Sequence, residues 1–459
     1  MKTKKTKTNR KILQILFSAI AICSTASVGF ATEHTTRLVV DNDNVILVGG
    51  DTYTFEGAGA GIFATNDANI NLAPSDSGIT VNVSEVSGSM LVRGAVAAEV
   101  NSTIDLGSSS KVSVTAESTR TAIGLYAREN SNVFATNVEI NGYGRVTGAT
   151  ATVDSTINLG MNSIIRTGFT GVQVNQRGRI VASDAYIDAA NTAINVFTGT
   201  VNLHNTTAIG GETVVNFFGQ EAGATSESVA VVNFSGGSLY STNGPVVQTN
   251  SESTAQVHDM ILNITDGAQA SSKNGVLYSQ NATTVATTGI DFTLNVEGTG
   301  TKVEGAFLGD TVETNFNISD SATWKSTGAS NMDNLFLDNA NLEFDMTSIS
   351  DSITTGNLTL EGHSEALIGF TNDFLEEIIA AGGSMNDIDA SIVTSFLDGA
   401  GDITYTFKTS NDEGSTWDIV NHGDGTFDIS NINIIPEPST YAVIFGLLAL
   451  AFATYRKRK

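Results

Sequence analysis

The sequence predicts a mostly β protein. Its body, residues 32–370, is a right-handed parallel β-helix, followed by a small α+β region and a terminal hydrophobic helix. The first observation behind this is a recurring triplet of an apolar residue, then Asn, Asp or Glu, then another apolar residue. Copies stand at Ile70-Asn71-Leu72, Ile104-Asp105-Leu106, Val138-Glu139-Ile140, Ile157-Asn158-Leu159 and Val201-Asn202-Leu203. Others follow at Val232-Asn233-Phe234, Leu262-Asn263-Ile264, Leu294-Asn295-Val296, Phe316-Asn317-Ile318 and Leu342-Glu343-Phe344. Residues i and i+2 of a strand share a face, so each triplet buries two side chains and leaves one polar group outside. The second observation is spacing. Most copies lie 19 to 34 residues apart, and the widest gap holds a weaker copy, Ala185-Tyr186-Ile187. A loose repeat of that length is the signature of a solenoid whose coils share one core. The third is the Gly, Ser and Asn content between triplets, which supplies turns.

A second apolar patch precedes many triplets, as in Ile123-Gly124-Leu125, Val172-Gln173-Val174, Ile194-Asn195-Val196 and Val214-Val215-Asn216-Phe217. An array of antiparallel hairpins is the alternative. It calls for hairpin turns, and Asn-Gly occurs only at 141–142, 243–244 and 274–275. If the coils are in register, Asn71, Asn158, Asn202, Asn233, Asn263, Asn295 and Asn317 form either an amide ladder or a set of independent surface amides.

The N-terminal element, residues 1–31, reads as a secretory signal peptide. Lys2, Lys4, Lys5, Lys7, Arg10 and Lys11 precede an apolar run over 12–22, and Gly29-Phe30-Ala31 forms a cleavage site cut after Ala31. Ile20-Ala21-Ile22-Cys23 faintly matches lipoprotein processing, but Ile22 is a poor residue before such a cysteine. Cys23 is the single cysteine. The mature body therefore has neither disulfides nor thiol chemistry, and a continuous hydrophobic column must supply stability.

Past residue 370 the pattern changes. Phe374, Leu375, Ile378 and Ile379 have helical spacing. Ser384-Met385-Asn386-Asp387 resembles a capping box, followed by Ile388, Ile392, Phe396 and Leu397. Residues 371–399 are thus expected to be a helical pair capping the solenoid. Over 400–434, alternation at Ile403, Tyr405 and Phe407, at Trp417 and Ile419, and at Phe427 and Ile429 predicts a module of three antiparallel strands.

The last element, residues 435–459, contains Pro436-Glu437-Pro438, an apolar run over 441–455 and a basic stop of Arg456, Lys457, Arg458 and Lys459. A 15-residue helix is about 22 Å long at 1.5 Å per residue, short for a hydrocarbon core about 30 Å thick. Positive charge at both chain ends places both on the cytoplasmic side, with the body looped outward. These residues resemble the PEP-CTERM sorting signal of Gram-negative bacteria, which has the same three parts in the same order. The resemblance implies recognition of Pro436, Glu437 and Pro438 by an exosortase, transient membrane insertion of the apolar helix, and delivery to the cell surface or extracellular matrix. The body is also diffusely similar to autotransporter passenger β-helices.

Charge limits the partners. Of 23 basic residues, six lie in the first 11 positions and four in the last four, leaving 13 basic against 47 acidic residues over 32–435. Such a body repels nucleic acid and anionic lipid. Motifs for phosphate loops, zinc hydrolysis or nucleophilic serine are absent. His34, His204, His258, His363 and His422 are scattered and read as isolated surface residues. Asp184 with Asp188, and Asp412 and Glu413 with Asp418, are the close carboxylate sets. Arg166, Arg177 and Arg179 are the one basic cluster, and they read as balancing nearby acids. Trp324 and Trp417 are few for a sugar cleft. No catalytic residue, metal ligand or cofactor is assigned. The expectation is a non-catalytic, adhesin-like surface or matrix protein that meets polysaccharide or other cells. The alternative is a secreted β-helix lyase or glycoside hydrolase.

Overall fold

The computed structural model describes residues 31–57, 59–72, 77–84, 94–116, 121–218, 229–250, 259–281, 291–348, 353–381, 385–389, 403–421 and 426–435. A sheet of 37 strands dominates, and its strands pair in parallel with the strand one coil later. This is a parallel β-helix. The pairings divide the strands into three walls that the chain visits in turn. The first wall begins with Glu33–His34 and Thr52–Glu56, the second with Leu38–Asp41 and Ile62–Thr65, and the third with Asn44–Leu47 and Asn69–Leu72. Later strands such as Gly199–Gly210 bend across a corner and serve two walls.

The core follows from the triplets. The flanking apolar residues of the Asn158, Asn202, Asn233, Asn263, Asn295 and Asn317 copies are all 2% exposed or less. Their Asn side chains point outward and stay partly accessible. The early coils are filled mainly by Ile, Val, Leu and Ala. From Phe217 onward the core becomes an aromatic column. Tyr278 stacks on Phe292 with centroids 4.5 Å apart, Phe307 lies 5.0 Å from Phe316, and Phe316 meets the edge of Trp324 at 4.9 Å. Such offset and edge contacts add to the area the rings bury.

The corners solve two problems of a coiled chain. Left-handed backbone turns each corner, and Asn and Asp tolerate it best after Gly. Asn137, Asn162, Asp184, Asn205 and Asp266 accordingly have φ between 47° and 57° at the corner leading into the first wall. Buried amides at the corners also need acceptors. Ser131 Oγ accepts from Ser102 N at 3.1 Å, and Ser155 Oγ accepts from Ser131 N at 3.0 Å. A hydroxyl from the next coil thus replaces the missing strand partner.

The C-terminal region differs from expectation in two places. The helix Asn372–Ala381 forms, capped by Thr371 Oγ1, which accepts from Phe374 N at 3.4 Å. The expected start of the second helix does not, and the rest of it, with Ile392, Phe396 and Leu397, lies outside the described residues. Met385–Asp389 is a strand, antiparallel to Thr426–Asn433. Pairing to that strand outweighs the local capping signature. The expected three-strand module is also rearranged. Ile403–Phe407 pairs in parallel with Ser364–Phe370 and extends the solenoid, and Met385–Asp389 takes its place in the small sheet, on the other side of Thr426–Asn433 from Thr416–Asn421. The helix therefore belongs to an insertion before a final solenoid strand. Phe374, Leu375, Ile378, Trp417 and Ile429 join the main core cluster, while Ile379 is 46% exposed. The proposed terminal helix over 441–455 lies outside the described residues.

Candidate functional site

The third wall carries the clearest surface chemistry. Its outward central column can be followed coil by coil through the pairings: Ile46, Asn71, Asp105, Phe134, Asn158, Val181, Asn202, Asn233, Asn263, Asn295, Asn317, Phe336 and Thr359. All seven expected Asn residues fall in it, so the register reading holds. Glu139 and Glu343, from triplets of the same pattern, sit instead on the first wall.

Five of the amides form an unbroken ladder. Asn233 Nδ2 donates to Asn202 Oδ1 at 2.8 Å, Asn263 to Asn233 at 2.7 Å, Asn295 to Asn263 at 2.6 Å and Asn317 to Asn295 at 2.7 Å. Every rung donates toward the earlier coil. Two shorter ladders share this sense. Asn195 donates to Gln173, Asn216 to Asn195 and Asn250 to Asn216 on the second wall. Asn334 donates to Asn315 and Asn357 to Asn334 at 2.8 Å each, beside the main ladder. An amide in a ladder uses one N–H and one lone pair on its neighbours, which leaves a donor and an acceptor for a ligand.

A groove of about 710 Å³ runs over the late part of the ladder, lined by Asn263, Asn295, Asn317, Thr265, Glu297, Ser319 and Phe336. Phe336 replaces the amide in the next coil and puts a half-buried ring at the groove's end. Phe134, 39% exposed, occupies the same column eight coils earlier. Amides, hydroxyls and a carboxylate with an aromatic platform suit a ligand rich in hydroxyl groups.

Sequence reasoning missed a neighbouring acidic column. Asp259, Asp291 and Glu313 follow one another in register on the third wall. Burial first, then the charges of Glu313 and Asp259, push the Asp291 carboxyl above its ordinary range. The signal was present: Asp259, Asp291 and Glu313 each stand four residues before a ladder Asn.

The other candidates disperse. Arg177 pairs with Asp154 through Nε at 2.7 Å, while Arg166 lies 5.5 Å over the Tyr186 ring. Arg179 stands on the third wall between Thr156 and Thr200. Asp184 accepts from Asn205 at a corner, and Asp188 meets the Tyr186 hydroxyl at 3.4 Å. Glu413 accepts from Asn411 and Asp418 from Asn431. Among the described residues no group of three or more His, Cys, Asp or Glu is arranged for a metal ion. Trp324 and Trp417 are both buried in the core. His204 and His363 are exposed, but His34 is not isolated. Its Nε2 lies 3.0 Å from the buried Asp51 carboxylate, and its ring stacks on Tyr53. His258 and His422 lie outside the described residues.

Ala31 is exposed, and Thr32 separates it from the first strand, Glu33–His34. Pro436, Glu437, Pro438, Arg456, Lys457, Arg458 and Lys459 lie outside the described residues, and no described helix is long and apolar enough to cross a membrane. The residue before the motif is firmly held. Ile435 N donates to Ser415 Oγ at 2.8 Å, and Ile435 O accepts from Asn372 Nδ2 at 3.1 Å.

No protein-family model matches this chain, and no curated protein matches it either.

Proposed function

We propose that this is an exported protein of the cell surface or extracellular matrix. Its tail, residues 436–459, acts as a sorting signal read at Pro436-Glu437-Pro438 by an exosortase and then removed. The solenoid itself is a non-catalytic wall that holds extended polysaccharide through many weak contacts. The observation that carries the binding reading is the amide-lined groove ending at Phe336. A ladder presents the same donor and acceptor pair at each coil, about 4.8 Å apart, so a repeating polymer can engage several coils at once and gain avidity without any tight single site. The anchoring of Ile435 supports the sorting reading, because the body ends at a fixed point beside the motif.

Two measurements test this. Intact mass and location of the mature protein are compared in cells with and without exosortase. The sorting reading fails if surface protein in normal cells keeps its peptide through Lys459. Retention on immobilised polysaccharides is then compared for the native protein and Phe336→Ala. Equal retention on every polymer removes the groove from the binding reading.

One observation favours a second reading. Asp291 stands in register between Asp259 and Glu313, its carboxyl pushed above the ordinary range by burial and then by their charges, and paired carboxylates are what glycosidases use. A secreted glycoside hydrolase or lyase is therefore the alternative. Specific turnover in a polysaccharide panel, lost in Asp291→Asn, would replace the non-catalytic reading.

A further inference from the structure

The corner before the first wall can be followed by its backbone hydrogen bonds. Thr52 N donates to Thr32 O, Thr80 N to Asp51 O, Lys111 N to Ile79 O, Glu139 N to Ser110 O and Ile164 N to Val138 O. Thr32, Asp51, Ile79, Ser110, Val138 and Ser163 thus occupy equivalent places in successive coils. One rule holds where the next coil brings a serine to this corner: its hydroxyl accepts the amide. Ile79 N donates to Ser110 Oγ at 3.1 Å, Val138 N to Ser163 Oγ at 3.2 Å and, far along the stack, Ala340 N to Ser364 Oγ at 3.1 Å. A neutral hydroxyl is enough for a neutral amide.

The first coil departs from the rule. Thr32 N donates to Asp51 Oδ1 at 3.0 Å, and Asp51 is only 5% exposed. A buried carboxylate is costly where a hydroxyl serves. It becomes favourable if the donor is a cation. Thr32 is the residue that a cut after Ala31 turns into the chain's first.

We infer that Asp51 is a built site for the Thr32 α-ammonium, and that leader removal completes an ion pair locking the first coil. This rests on the export reading. Hydrolysis of the Ala31–Thr32 bond leaves a carboxylate on Ala31 and an amine on Thr32, which takes up a proton at neutral pH. The ammonium then meets Asp51 Oδ1, while Asp51 Oδ2 keeps its contact with His34 Nε2 at 3.0 Å. His34 is the titratable side chain in contact with the carboxylate, and Tyr53 stacks on the His34 ring. The Tyr53 hydroxyl is pushed up to about 12 by burial and by the Asp51 charge. The Asp51 charge therefore reaches its surroundings, and an ammonium beside it would offset the cost of burying it.

The test uses protein purified from exporting cells. Mass analysis of the N-terminal peptide reads the cleavage point, and amine labelling across pH reads the Thr32 titration. The expected peptide starts at Thr32. Its labelling midpoint is expected about one pH unit above the ordinary α-amino range of roughly 7.7–8.0. Asp51→Asn, which keeps an acceptor at Oδ1, should return the midpoint to that range. Asp51→Glu should keep it raised, and His34→Gln should leave it raised. Equal midpoints in the native protein and Asp51→Asn would overturn the pairing while leaving export intact. A peptide starting at any other residue would overturn the inference, and a retained leader would overturn the export reading with it.

Discussion

Asn263 donates its side-chain amide to Asn233 Oδ1 at 2.7 Å across one coil of the solenoid. It also accepts from Asn295 at 2.6 Å, so its removal opens two rungs. Asn263→Ala is expected to cost about 1–3 kcal/mol, because two half-buried amide groups lose their partners. Asn71→Ala, at the same column position but exposed, should cost well under half as much. Denaturant unfolding of both variants checks this, and equal losses would show that the ladder adds nothing to stability.

Acid should loosen the last coils through Asp345. Lys408 Nζ lies 2.7 Å from one carboxylate oxygen and Lys325 Nζ 3.3 Å from the other. Burial alone would raise this carboxyl. The Lys408 hydrogen bond and charge, then those of Lys325, hold it below its ordinary range. A depressed folded value means that the stabilisation is present above the unfolded value of about 3.9 and is lost as pH falls through the folded one. Unfolding measured from pH 6 down to pH 2 should show this loss. Asp345→Asn should be less stable at pH 6 and lose less on acidification.

The two glycine environments should separate cleanly. A Cβ on Gly211 would overlap the Ala190 carbonyl, whereas one on Gly328 would meet open space. Gly211→Ala is expected to destabilise by about 1–3 kcal/mol or more through backbone displacement, and Gly328→Ala to be near neutral. Thermal melts of the pair decide it.

Trp324→Ala should be the costliest single change in the core, at about 3–5 kcal/mol. It removes a fully buried ring, its edge contact with Phe316 and its indole hydrogen bond to Gly305 O at 3.0 Å. Trp324→Phe should recover most of the loss, short of roughly 1 kcal/mol for the hydrogen bond. A small effect of the alanine variant would contradict the continuous aromatic column.

Ser415 should matter to processing. Its Oγ receives Ile435 N and itself donates to Asn372 Oδ1 at 2.6 Å. Ser415→Ala removes one of the two hydrogen bonds that hold Ile435, leaving only that from Asn372 Nδ2. The fraction of surface protein with a removed tail should change from the native level, as read by intact mass.

The triplets made the third wall legible because period-two alternation reports which side of a strand is buried. The Asn202 to Asn317 ladder then followed from register. Alternation does not name a strand's partner, so Ile403–Phe407 reads as part of the C-terminal module although it pairs in the solenoid sheet. Local signatures near Ser384 failed for a related reason. Three cross-strand pairs hold Met385–Asp389 against Thr426–Asn433, and helix propensity is a weak prior against tertiary contacts. The acidic column escaped because each acid is unremarkable alone among 48. Only its fixed offset from a ladder Asn marks it.

Followed along the third wall, coil length varies from 19 residues at Asn315 and Asn334 to 34 at Ala68 and Ser102, yet the register there continues. The corners absorb the difference. Reach is therefore quantised. Deleting or duplicating one whole coil would change the rod by a single step of about 4.8 Å and leave the pattern on its face unbroken, so this scaffold can be lengthened like a ruler by adding divisions of one size.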